Sequence, residues 1–182
     1  MIGANAIRRK TLVKFLAQWG CLLILTVAVL FIKSNVLTVA TVCGNSMYPT
    51  MQDGDILIVS RISSIPSPGD IILVQVPSDK FRGKYIIKRI IAIGDETVSI
   101  DYDKNEVRID GKLLYEPYIN LQQPDPMLPI NAQSKIEYQI PEGQVFVLGD
   151  NRNFSLDSRQ ALLGFVDVSN IVGTVIAGVR NP

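Results

Sequence analysis

The sequence predicts a mainly β domain, a sandwich or partly open barrel, behind one N-terminal membrane-spanning helix. Three observations predict it. Residues 15–32 form an apolar stretch without a charge, nine short Val- and Ile-rich runs follow, and no helical period recurs after them. A chain of 182 residues has room for one domain and a short appendage.

Residues 15–32 read FLAQWGCLLILTVAVLFI. As a helix these eighteen residues reach about 27 Å, close to the roughly 30 Å hydrocarbon core of a bilayer. Arg8, Arg9 and Lys10 precede them, so the positive-inside rule assigns residues 1–14 to the cytoplasm and residues 35–182 to the far side. A cleaved leader is the competing reading, with Thr38 and Ala40 as small residues near a cut, but the stretch is longer than the usual 7–15-residue apolar region of a leader. A buried core helix is disfavoured, since no face of the segment is polar.

The strands expected next are Val36–Val42, Asp55–Ser60, Asp70–Val76, Lys84–Ile93, Thr97–Ile100, Glu106–Ile109, Ile136–Ile140, Gln144–Leu148 and Ile171–Val179. Asp53-Gly54, Pro68-Gly69, Asp110-Gly111 and Glu142-Gly143 mark turns, and Asn105 suits a hairpin tip. Residues 117–129 (PYINLQQPDPMLP) carry too much proline for an inner strand and read as an excursion over the surface.

Composition excludes several functions. The net charge of +1 hides an asymmetry: five of 18 basic residues and none of 17 acids lie in residues 1–34, leaving 13 basic and 17 acidic residues, a net −4, for the rest. A mildly acidic domain without a basic stripe argues against nucleic-acid binding. Cys21 and Cys43 cannot make a disulfide framework. Histidine is absent, which removes the commonest neutral-pH base and the commonest metal ligand.

Three segments carry chemistry. In Gly44-Asn45-Ser46-Met47-Tyr48-Pro49-Thr50-Met51 a strand ends in a Gly-Asn turn and a serine follows. A nucleophile needs such a rigid turn, with its backbone N–H free to meet a developing oxyanion. A serine in such a turn ordinarily bonds its own backbone, so the segment alone assigns nothing. In Tyr85-Ile86-Ile87-Lys88-Arg89-Ile90-Ile91 two cations interrupt a run of isoleucines on both faces of a strand, so at least one is expected to be partly buried. Burial lowers a lysine pKa by up to about 3–5 units. Three units would bring Lys88 to about 7 at a cost of about 4 kcal/mol, and a neutral amine can take a serine's proton. Arg89 cannot, because a guanidinium stays protonated. The alternative is an edge strand whose lysine reaches solvent. The third segment, from Gly149 to Arg159 (GDNRNFSLDSR), follows a strong strand, and its acids, amides, arginines and serines can close a hydrogen-bond network.

These three segments, in this order behind an N-terminal anchor, resemble the bacterial type I signal peptidases, Ser–Lys enzymes that cut signal peptides from exported preproteins at the outer membrane face. The resemblance spans essentially the whole chain. It implies that Ser46 attacks the scissile carbonyl and that its N–H helps form the oxyanion hole. Lys88 is then general base and general acid, and Ser155 orients its amine. Asp157, Arg159 and Arg152 support the site, and Met47 and Pro49 shape the substrate cleft. It also implies a family β domain resting on the lipid bilayer, signal peptides of secreted preproteins as substrates, and no cofactor, metal or nucleic acid. The sequence departs from the family's pattern at Ala92-Ile93-Gly94-Asp95-Glu96, at Asn153-Phe154, and at Gly44, which cannot supply the hydroxyl some members place there. A self-cleaving Ser–Lys repressor would need a DNA-binding module in place of the apolar segment, and a silent membrane-tethered binding domain has no reason to hold Ser46, Lys88 and Ser155 together.

Overall fold

The computed structural model describes residues 14–15, 18–31, 36–62, 67–77, 84–119, 126–130 and 132–180. Contacts divide the chain into two compact units, Met1–Thr38 and Val39–Pro182. In the first, residues 18–31 are helical. Among the described residues no helix is long and apolar enough to cross a membrane. The basic terminus, residues 1–13, and Leu16, Ala17 and Ile32 of the apolar stretch lie outside the described residues.

All nine expected strands form. They are β1 (Leu37–Thr41), β2 (Ile56–Ser60), β3 (Ile71–Gln75), β4 (Tyr85–Ile93), β5 (Thr97–Asp101), β6 (Glu106–Ile109), β8 (Lys135–Gln139), β9 (Gln144–Leu148) and β11 (Ile171–Val179). Two strands of two residues each, β7 (Lys112–Leu113) and β10 (Val166–Asp167), were not expected, being too short to carry a pattern. Glycines 54, 69, 111 and 143 all take positive φ, as their turn dipeptides predict, and Asn105 does too at 56°. Asp110 and Gly111, at φ 50° and 78°, make the two-residue type I′ turn that joins β6 to β7.

The strands make a seven-stranded sheet in the order β1-β2-β11-β3-β4-β9-β10 and a four-stranded sheet in the order β7-β6-β5-β8. Neither closes into a barrel. Ile91 and Ala92 of β4 and Phe146 and Leu148 of β9 share one core cluster with Val98, Ile100 and Val107 of the smaller sheet, so the two sheets pack on each other there. A second cluster, with Ile72, Val74, Ile90 and Val147, lies within the larger sheet. The third holds Val42, Met47, Met51 and Leu57 beneath the turn after β1. The proline-rich excursion is not wholly superficial: Met127 is buried in the inter-sheet core.

Candidate active site

The strand β4 brings the first two groups of the site inside the sheet. It pairs with β3 on one side, where Lys88 faces Ile72, and with β9 on the other, where Arg89 faces Leu148. The edge-strand alternative for Lys88 therefore falls. Both cations are buried, Lys88 at 4% exposure and Arg89 at 9%.

Lys88 Nζ donates to Ser46 Oγ at 2.7 Å and to the Ile87 carbonyl at 2.9 Å. Burial lowers its pKa from 10.5 to about 8, against the upward pull of Asp157 and then Asp150. The depression is smaller than burial alone suggests because those two carboxylates lie nearby. Both are held by arginines, which blunts their pull. Near neutral pH the strained cation costs the fold about 3 kcal/mol, and one step up in pH yields an amine in contact with a hydroxyl. Such a pair can move a proton from Ser46 to Lys88 as a bond forms at the oxygen.

Ser46 sits on a turn fixed from below and from the side. Met47 is 1% exposed and packs with Val42, Met51 and Leu57. The resemblance assigns Met47 to the segment that shapes the substrate cleft, and here its side chain supports the turn of that segment from beneath. Pro49 is half-buried and follows a cis Tyr48-Pro49 bond. Gly44 takes a positive φ of 87° and its N–H donates to Asp53 Oδ1 at 2.6 Å. From the side, the loop after β9 holds the turn: Asn151 N–H donates to the Ser46 carbonyl at 3.0 Å, and its side-chain amide to the Asn45 carbonyl at 3.0 Å.

Three arginine–carboxylate pairs surround this centre. Arg89 binds Asp150 through Nε at 2.9 Å and Nη2 at 2.7 Å, and Thr50 Oγ1 donates to the same carboxylate at 2.5 Å. Arg159 binds Asp157 through Nε at 2.8 Å and Nη2 at 2.9 Å, and its Nη2 also donates to the Arg152 carbonyl at 2.5 Å. Arg152 binds Glu116 through both terminal nitrogens and donates from Nε to the Gly149 carbonyl at 3.1 Å. Bidentate pairs of this kind resist rotation and cancel charge where water is excluded. Ser155 Oγ is buried and makes no hydrogen bond to a protein group. It lies against Gly149, where an added Cβ would stand 2.2 Å from Ser155 Oγ and 2.4 Å from the Ser46 carbonyl oxygen.

The expected residues Ser46, Lys88, Ser155, Asp157, Arg159 and Arg152 thus converge. Sequence reasoning missed the roles of Thr50, Asp150, Glu116, Tyr118 and Gly149. Arg89 held a clue to Asp150, since a guanidinium forced into a sheet needs an acid. Among the described residues no group of acids and cysteines is arranged to hold a metal ion.

Comparisons with known proteins agree with one another. The family model described as "Signal peptidase, peptidase S26" matches residues 16–179. The signal peptidase I of Bacillus amyloliquefaciens is 35% identical over 164 residues, covering 86% of this chain and 81% of that one. A probable signal peptidase I of Synechocystis is 39% identical over 137 residues, 71% of this chain and 64% of that one. The crystal structure of a signal peptidase I from Enterococcus faecalis superposes with a TM-score of 0.50 at 29% identity, covering 62% of this chain and 98% of that one.

Proposed function

The chain belongs to the peptidase S26 family of signal peptidases, and from that premise we propose that it removes N-terminal signal peptides from exported preproteins with a Ser46–Lys88 dyad. The observation that carries the proposal is the 2.7 Å contact between the Lys88 amine and the Ser46 hydroxyl inside a buried site. Lys88 takes the Ser46 proton as Oγ attacks the scissile carbonyl, then returns it to the departing amine. Water, deprotonated by the same amine, releases the acyl group from Ser46. The Ser46 N–H stabilises the oxyanion. Ser155, whose buried hydroxyl makes no hydrogen bond in the resting structure, turns to the Lys88 amine and steadies it between these steps. Asp157, Arg159 and Arg152 keep the loop that carries Ser155 in place.

The reaction takes place at the outer face of the cytoplasmic membrane, with residues 15–32 as a single anchor and residues 1–14 in the cytoplasm. Support comes from the absence of charge in residues 15–32 and the basic residues before them. The large apolar side chains of the helical residues, among them Leu23, Ile24, Leu25 and Phe31, are 52–70% exposed, a surface that lipid would cover. On the β domain, Ile56 and Val179 stand opposite each other across β2 and β11 and are both exposed. This apolar patch suits a domain resting on the bilayer.

The test is cleavage of a preprotein by the purified full chain in detergent, with both products mapped by mass spectrometry. A single cut at the end of the signal peptide is expected; an uncut preprotein, or cuts scattered through the mature part, would contradict the reading. The rate should also depend on pH. Only neutral Lys88 can accept the proton, so kcat/KM is expected to fall about tenfold per unit as pH drops below about 8 and to level above it. A profile flat between about pH 6 and 9 would remove Lys88 as the base.

A further inference from the structure

We infer that the segment around Glu116 and Tyr118, together with Asn153, is a positioning strap that holds the nucleophile turn and the Ser155 loop in register for peptide hydrolysis. The inference rests on the peptidase reading above and adds residues that none of the three motif segments points to as working with the dyad, two of them outside those segments altogether. Glu116 lies 36 residues from Arg152 in sequence, yet their side chains pair at 9% and 7% exposure. Tyr118 bridges the two halves of the site. Its hydroxyl donates to Glu116 Oε1 at 2.9 Å, and its ring centroid lies 3.9 Å from the Arg89 guanidinium carbon, a cation–π contact. Burial, followed by Glu116, pushes the Tyr118 hydroxyl up, so it remains a donor.

From these contacts two short paths lead to the reacting groups. One runs from Glu116 through Arg152 to the Gly149 carbonyl, and Gly149 is the residue wedged between Ser155 and the Ser46 carbonyl. The other runs from Tyr118 through Arg89 and Asp150 to Thr50, four residues after the nucleophile. A third tie reaches the next residue of the loop. Asn153 Oδ1 accepts from Leu128 N–H at 2.8 Å, and its Nδ2 donates to the Pro126 carbonyl at 3.0 Å. Met127, between them, is anchored in the inter-sheet core. The loop is therefore gripped at two consecutive positions, 152 by Glu116 just before the proline-rich excursion and 153 by residues 126 and 128 within it. Asn153, a departure from the family's pattern, has this tie as its structural work.

The polar partners of the three residues are Arg152, Arg89 and the backbone of residues 126 and 128, so each acts on the dyad through other residues. Removing the Glu116 charge leaves Arg152 as a buried cation without its acid, which must move toward water and release Gly149. Displacements of about an ångström at reacting atoms cost up to about 100-fold in rate.

The test compares wild type with Glu116→Gln, Tyr118→Leu, Tyr118→Phe and Asn153→Ala, using the full chain in detergent and a preprotein substrate. Glu116→Gln and Tyr118→Leu should lower kcat by about 10- to 100-fold while KM stays within about twofold, because no substrate contact is lost. Tyr118→Phe, which keeps the ring over Arg89, should recover most of the Tyr118→Leu loss, and Asn153→Ala should fall between wild type and Glu116→Gln. Hydrogen exchange gives a readout independent of activity. The Asn151 amide, which donates to the Ser46 carbonyl, should exchange at least about tenfold faster in Glu116→Gln, with β5 and β6 amides unchanged. Failure of either change in Glu116→Gln, or acceleration spread equally over the sheets, overturns the strap. If the wild-type chain itself leaves the preprotein uncut, the peptidase reading fails, and exchange at Asn151 alone decides whether the strap holds the loop.

Discussion

Ser46→Ala and Lys88→Ala are each expected to lower kcat/KM on a preprotein by at least about 1,000-fold, and the double variant by no more than either alone. The two groups act as one unit. Without the hydroxyl the amine has nothing to activate, and without the amine the hydroxyl, at its ordinary acidity, is a weak nucleophile. Lys88→Arg is expected to be as inactive as Lys88→Ala, because a guanidinium keeps its proton at any working pH. That variant separates proton transfer from positive charge. Circular dichroism of all four variants should match wild type, since Ser46 is only half-buried and Lys88 is a net burden on the fold near neutral pH. Lys88→Arg with more than about a tenth of wild-type activity would mean that the cation, and not the base, matters.

Gly149→Ala is the second large effect. Few positions leave so little room: its Cβ would stand 2.2 Å from Ser155 Oγ, 2.5 Å from Ser155 Cβ and 2.4 Å from the Ser46 carbonyl oxygen. The Ser155 hydroxyl could rotate away, but the Ser46 carbonyl is backbone and is itself held by the Asn151 N–H. One methyl group must therefore push the nucleophile turn and the Ser155 loop apart. Overpacking of this kind costs about 1–3 kcal/mol of stability, and displacement of the turn should cost about 100-fold in kcat. The measurement is kcat with thermal unfolding on the same preparation. A variant with wild-type kcat would show that the contact between turn and loop is not needed for the reaction.

The strands were legible because their Val and Ile runs end at turn dipeptides whose glycines take positive φ in the fold. Lys88 was legible through the resemblance of its segment, taken with those of Ser46 and Ser155; a cation among isoleucines alone left an edge strand open. The depth of its pKa shift was less so: Asp157 and Asp150 offset part of the burial effect, and their distance from Lys88 is set by the pairing of β4 with β9. The sequence left open which of Lys88 and Arg89 is buried, and the acid that meets Arg89, Asp150, lies 61 residues away. Glu116 and Tyr118 left no local signal at all. A Glu-Pro-Tyr in a proline-rich segment reads as solvated surface until the fold brings Arg152 and Arg89 beside it.

The central claim is that burial makes Lys88 a neutral base at working pH. Direct titration of its side-chain amine by nuclear magnetic resonance, on the full chain in detergent, tests that claim without relying on any assay of cleavage. The account predicts a midpoint of about 8, coincident with the rise in kcat/KM. A midpoint near the ordinary 10.5 of an exposed lysine would contradict it.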